Sequence, residues 1–174
     1  DYESIPGLTS TAQAGLIMTR YLYENNLAPD ALGAFAILAH ANGINNPNAL
    51  FKFPLAPQSY AGPSKLSDPL SIYDGATYAD GAAALILTRR ELLPDNFPHP
   101  VIRLLGSSAS SDALAWHDRH DPMAFTAARK AVETAAMQAG ILPVYADLFE
   151  LDDAFTVFAA LTLEACGIAP KGQS

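Results

Sequence analysis

Cysteine is almost absent: Cys166 is the single one in 174 residues. That excludes an internal disulfide framework and any zinc cluster built on cysteines. Charge is sparse as well, at 16% of residues, and it is lopsided. Ten Lys and Arg stand against 18 Asp and Glu, a net charge of −8. Such a chain repels nucleic acid and anionic membrane surfaces overall, so neither is expected as a partner. No apolar run approaches the ~20 residues needed to span a bilayer, and no signal peptide opens the chain. A soluble, cytoplasmic protein is therefore the expectation. The glycines form neither GxxxxGK nor GxGxxG, so no phosphate loop is read from them. What the chain does hold is apolar residue, at 50%, enough for one sizeable core. It opens on Asp1 rather than Met, as expected of a processed N-terminus or of a piece of a longer polypeptide.

Hydrophobic spacing and turn chemistry divide the chain. Residues 10 to 25 read as a helix. Ser10 and Gln13 have capping-box spacing, and Leu16, Ile17, Tyr21 and Leu22 share one face. A second helix is expected from Pro29, a good first helical residue, to about His40, with Leu32, Phe35, Ala36 and Ala39 as its inner stripe. Residues 45–69 carry Pro47, Pro54, Pro57, Pro63 and Pro69, which predicts an ordered excursion or lid. The runs GAAALILTR (81–89), VIRLLGSS (101–108) and VYADLFEL (144–151) read as strands. Three prolines in residues 94–100 read as a linker between two lobes. Asp121–Pro122 is a helix start leading into an alanine-rich helix closed by Gly140. Asp152 and Asp153 precede a last helix that runs to about Cys166, with Gly167 as its cap. Strands alternating with helices over short connections predict an α/β protein with a mostly parallel sheet.

The usual catalytic constellations are thin. His40, His99, His117 and His120 are scattered. HDRH (117–120) lacks metal-ligand spacing, so no metal site is expected there. Cys166 lies at a helix C-terminus, where the dipole opposes a thiolate, and reads as a structural thiol. One segment stands out. FELDDAF delivers Asp152, Asp153 and Phe155 to the carboxyl end of a strand and the start of a helix, the edge where α/β folds bind ligands. Propensity alone reads the same residues as an Asp cap followed by a core Phe.

Five strings in order carry a resemblance: IPGLTSTAQAGLIMTRYL, NNPNALFKFP, YADGAAALILT, LAWHDR and DDAF. The chain resembles the thiolase superfamily, most nearly its sterol-carrier-protein and archaeal types. There GLT…A, NP…A, DGAAA, HDR and HDAF or HDCF follow one another. The likeness covers essentially all of the chain. It implies part of a thiolase fold, a layered α-β-α arrangement with a mixed sheet and a helical and loop lid region. Residues 1–93 would end the N-terminal half with its loop region, 94–100 would link, and 101–174 would open the C-terminal half.

The resemblance further implies acyl transfer of the acetyl-CoA acetyltransferase type on acyl-CoA or 3-ketoacyl-CoA thioesters. Coenzyme A would enter as substrate, with no other cofactor and no metal. The parent would be a homo-oligomer or pair with a partner subunit. The family's nucleophilic Cys and its Gly-His-Pro segment have no counterpart here, so this segment alone is expected to be inactive. Asp152 falls at the position where the family places a His or Asn of an oxyanion site. Phe155, Ala76, Thr77 and Tyr78 fall where the family lines its acyl–pantetheine tunnel. An ionised carboxylate only accepts hydrogen bonds, so Asp152 departs from a donor's role. That departure brings two alternatives into view: a thiolase-fold acyl-CoA lyase working by retro-aldol cleavage, and a catalytically silent subunit.

Overall fold

A computed structural model describes residue 3 and residues 5–174. Five α-helices and a small antiparallel sheet are formed among these residues: α1 (Ser10–Glu24), α2 (Gly33–Ile44), α3 (Pro57–Tyr60), β1 (Lys65–Ser67), β2 (Leu70–Ser71), α4 (Thr126–Ala139) and α5 (Thr156–Ala165).

Helix α5 is the organising element. It packs against α1, α2 and α4. Its Val157, Ala160 and Leu161 are buried with Ala14, Ile17, Met18, Tyr21 and Leu22 of α1, and Leu32, Leu70 and Met123 complete the cluster. The Val, Leu, Ile and Met side chains among these contribute about 1.5–3 kcal/mol each when fully buried. Trp116, Phe125, Phe155 and Phe158 pack around the cluster, with the Trp116 and Phe158 ring centroids 5.8 Å apart. A second, smaller cluster of Ala36, Leu55 and Tyr60 fixes the loop region against α2.

Several helix boundaries differ from the expected ones. Thr9, not Ser10, caps α1: its Oγ1 accepts from the Ala12 amide at 3.2 Å. Gln13 instead donates to Glu3 at 2.9 Å, and Leu16 points outward while Met18 takes the core. Helix α2 begins at Gly33 because residues 28–33 first close two turns, Ala28 to Ala31 and Asp30 to Gly33. It also runs past His40 to Ile44. Asp121 does not cap α4. It bonds the Met123 amide in a local turn, and Phe125, in the left-handed region at φ 41°, precedes the helix. Gly140 closes α4 at φ 67°, as expected.

The three expected strands run without a ladder. Among the described residues the pairing is β1 with β2, plus one isolated bridge between Gly75 and Phe155. The reason is physical. A strand exists through a neighbour's N–H and C=O groups, and among the described residues no strand pairs with residues 81–89 or 101–108. Their apolar side chains stay in solvent, Ile86 and Ile102 each at 93% exposure. Residues 144–151 meet the same lack and start with a short 3-10 turn, Pro143–Tyr145. One of these segments does dock. The Ser107 amide donates to Gln138 on α4 at 2.8 Å. At Gly106 a Cβ would stand 2.2 Å from the Ala135 carbonyl oxygen, so only glycine fits against the helix backbone there.

The Gly33–Tyr60 contact gives a stability test. A Cβ at Gly33 would lie 2.6 Å from the Tyr60 ring. Tyr60 is buried and tied through its hydroxyl, so the ring has no room to swing aside. Gly33→Ala should cost about 1–3 kcal/mol in urea unfolding, the usual range for overpacking. An unchanged midpoint would show that α2 and α3 are not held this closely.

Candidate functional site

The start of α5 is fixed by a buried carboxylate. Asp74 is 2% exposed. Its Oδ1 accepts from the Tyr60 hydroxyl at 2.8 Å and from the Thr156 hydroxyl, and its Oδ2 accepts from the Ser71 amide at 2.7 Å. Its backbone carbonyl takes the Thr156 amide at 2.9 Å, one of the donors a helix start leaves without an internal partner. A buried carboxylate is tolerable because its lone pairs are filled by donors. Burial pushes the Tyr60 hydroxyl well above the ordinary tyrosine range, and the adjacent Asp74 charge pushes it further. One residue on, the Ala76 amide donates to the Ala154 carbonyl at 2.9 Å, closing the bridge of Gly75 with Phe155. Two segments about eighty residues apart in sequence are thus zipped together at the mouth of α5.

Beside this junction lies a cavity of ≈580 Å³, walled by α2 from Phe35 to Gly43, residues 73–76, residues 148–151 and Asp153. A second cavity of ≈200 Å³ adjoins it, and the two share Ala39, His40, Gly43 and Ala49. His40 Nδ1 lies 3.1 Å from the Phe53 carbonyl oxygen, and its ring sits among Phe51, Phe53 and Tyr73.

The residues expected from the sequence are partly gathered. Ala76 lines the larger cavity and Thr77 the smaller. Phe155 stands at the bridge and packs edge-on against Phe158, 5.3 Å between centroids. Tyr78 is 97% exposed. Asp152 is exposed, and its Oδ1 accepts from the Ala154 amide at 3.2 Å. The acidic side chain of DDAF that lines the cavity is Asp153. Sequence reasoning missed Asp74, and it set His40 aside among the scattered histidines. Ser71-x-x-Asp74-Gly75 has the spacing of a side-chain-closed turn, a usable signal, whereas nothing local marks His40.

The remaining singled-out groups have structural partners. His117 and the Trp116 amide bond Glu3, at 3.1 and 2.7 Å. Arg119 lies 4.2 Å over the Trp116 ring and donates to the Ala113 carbonyl at 2.8 Å. His99 packs edge-on to Phe97. No group of three or more His, Cys, Asp or Glu suited to a metal ion occurs among the described residues. Nor, among them, is any helix long and apolar enough to cross a membrane. Cys166 follows α5, and burial pushes its thiol up, away from reactivity.

Residues 108–174 match the family model of the thiolase C-terminal domain-like group. The acetyl-CoA acetyltransferase of Methanothermobacter thermautotrophicus is 28% identical over 99% of this chain and 45% of its own length. The benzoylsuccinyl-CoA thiolase subunit BbsB of Thauera aromatica gives the same figures, 28%, 99% and 45%. A solved structure, the Ltp2-ChsH2(DUF35) aldolase, superposes with a TM-score of 0.87 at 23% identity, over 97% of this chain and 46% of that one. The chain has a thiolase-like α/β fold and its relatives are thiolase-superfamily proteins. It spans less than half the length of each of these.

A pH test follows from the buried phenols. Burial, and then the hydrogen bond to Glu164, raise the Tyr21 hydroxyl to about 12. Tyr60 is raised as well. Both shifts favour the neutral phenol in the folded chain. The stability they carry is complete below about pH 10, the unfolded tyrosine value, and the Tyr21 share of it is lost as pH rises through about 12. Unfolding measured from pH 8 to 12 should therefore show a falling free energy. Replacing Tyr21 and Tyr60 by Phe should flatten that fall, even though it lowers stability at pH 8. An equal slope in wild type and variant would contradict the placement of both hydroxyls.

Proposed function

We propose that this thiolase-superfamily chain forms the part of a coenzyme A thioester enzyme that walls the acyl–pantetheine site. The assembled enzyme would carry out acyl transfer of the acetyl-CoA acetyltransferase type on acyl-CoA or 3-ketoacyl-CoA. The observation that supports this most directly is the Gly75–Phe155 bridge. It sets Ala76, which lines a cavity of small-molecule size, beside Phe155 of a separate motif, which packs on Phe158. Acyl transfer through a covalent thioester needs an activated nucleophile. The one cysteine of the chain, Cys166, is half-buried just after α5, and that burial raises its thiol pKa. The nucleophile is therefore assigned to polypeptide beyond these residues, in the same subunit or a partner. The ladderless segments 81–89 and 101–108 are assigned to pairing with that same polypeptide, which would cover their apolar side chains.

A second reading has an observation of its own. Asp152, at the position the resemblance gives to an oxyanion donor, offers a carboxylate that already accepts a local amide. A carboxylate repels developing negative charge, which favours a lyase working by retro-aldol cleavage, or a silent subunit. The aldolase named in the structural match has the fold either reading needs.

Two experiments separate these readings. The 174-residue chain incubated with acetyl-CoA should show no acyl adduct on Cys166 by mass spectrometry; an adduct would move the chemistry onto this chain. In the assembled enzyme, Asp152→His should raise the thiolysis rate, by up to the roughly 10²–10³ that an oxyanion donor contributes elsewhere. A rate that stays level or drops would remove Asp152 from the reacting centre.

A further inference from the structure

We infer that the cleft beside α2 takes an uncharged, ring-bearing acyl group, and that His40 is the residue selecting for the ring. The inference deepens the proposed function and rests on it: that reading supplies the thioester, and the cleft supplies the choice of acyl group.

Position comes first. His40 stands in the wall common to both cavities. A group that fills the larger one and reaches toward the smaller must pass the imidazole. The larger volume, ≈580 Å³, far exceeds what an acetyl group occupies and lies within the about 300–1,000 Å³ typical of small-molecule sites.

The surroundings of His40 are aromatic on several sides. Phe53 lies 4.8 Å away between centroids, Tyr73 5.9 Å at right angles, and Phe51 6.1 Å nearly parallel. The Phe53 carbonyl can only accept, so Nδ1 is the donor and the ring is held in one orientation. Phe35 and Phe149 stand elsewhere in the same wall. A planar ligand group gains stacked or edge contacts from such a surface, whereas a methyl group gains little.

Charge decides which end of a thioester enters. Asp74, Glu150 and Asp153 line the larger cavity, and among the described residues no Lys or Arg lines either cavity. The Asp74 carboxylate is occupied by its three donors. Glu150 and Asp153 are exposed and make the wall repulsive to phosphate or carboxylate. The nucleotide end of coenzyme A is thereby kept out, and an acyl group without charge is admitted.

Calorimetric titration of the full chain tests this with four probes: the benzoyl and acetyl thioesters of N-acetylcysteamine, and benzoyl-CoA and acetyl-CoA. The benzoyl form should bind about tenfold tighter than the acetyl form in both pairs, the scale of one good aromatic contact. His40→Ala and His40→Gln should each reduce that preference to about twofold or less, and His40→Phe, which restores a ring, should keep it. Circular dichroism identifies any variant that has failed to fold, and the Gln variant retains a donor for the Phe53 carbonyl. Equal binding of benzoyl and acetyl probes by the native chain, or a preference that survives in folded His40→Ala or His40→Gln, would overturn the inference while leaving the thioester reading intact. Ring preference among the N-acetylcysteamine esters, with no binding of either CoA ester, would instead overturn the coenzyme A part of the proposed function and leave the ring selection standing. Binding of none of the four overturns both.

Discussion

The site depends on one carboxylate. Asp74 joins three pieces of chain: the Tyr60 turn, the Ser71 hairpin end and the first residue of α5. Removing its charge alone would weaken these bonds. Removing the side chain would strand buried donors, and a stranded buried polar group costs about 1–3 kcal/mol. The hydrophobic core holds α1 and α5 together without reference to the cleft. Asp74 sets where the cleft wall stands relative to that core.

The helices were largely legible in the sequence, because a one-sided apolar stripe reports a core wherever that core is supplied. In α1, Ile17, Tyr21 and Leu22 were expected inside and lie inside. The shifts at its start, and at the starts of α2 and α4, arise from competition among local hydrogen bonds. Thr9 outbids Ser10 as cap, and Asp121 spends its carboxylate on a turn. The strands were legible as apolar segments but not as pairs. Pairing is a property of two segments, and no partner for residues 81–89 or 101–108 lies among those described.

The candidate site was half legible, for a related reason. Motifs named Ala76 and Phe155 separately, and their adjacency came from the backbone bridge. Asp152 and Asp153 are indistinguishable by composition. The turn closed by Asp152 on the Ala154 amide keeps one in solvent, while its neighbour lines the cavity. His40 gave no sequence signal because its neighbours Phe51, Phe53 and Tyr73 arrive from loops whose path the prolines leave open.

The close approach at Gly106 has a mechanical corollary. With no side chain between the segment and the Ala135 carbonyl, and with Ser107 tethered to Gln138, main chain rides on main chain. There is no soft layer of rotamers to absorb a displacement. At Gly106 and Ser107, therefore, a displacement of α4 is passed directly to the backbone of the segment.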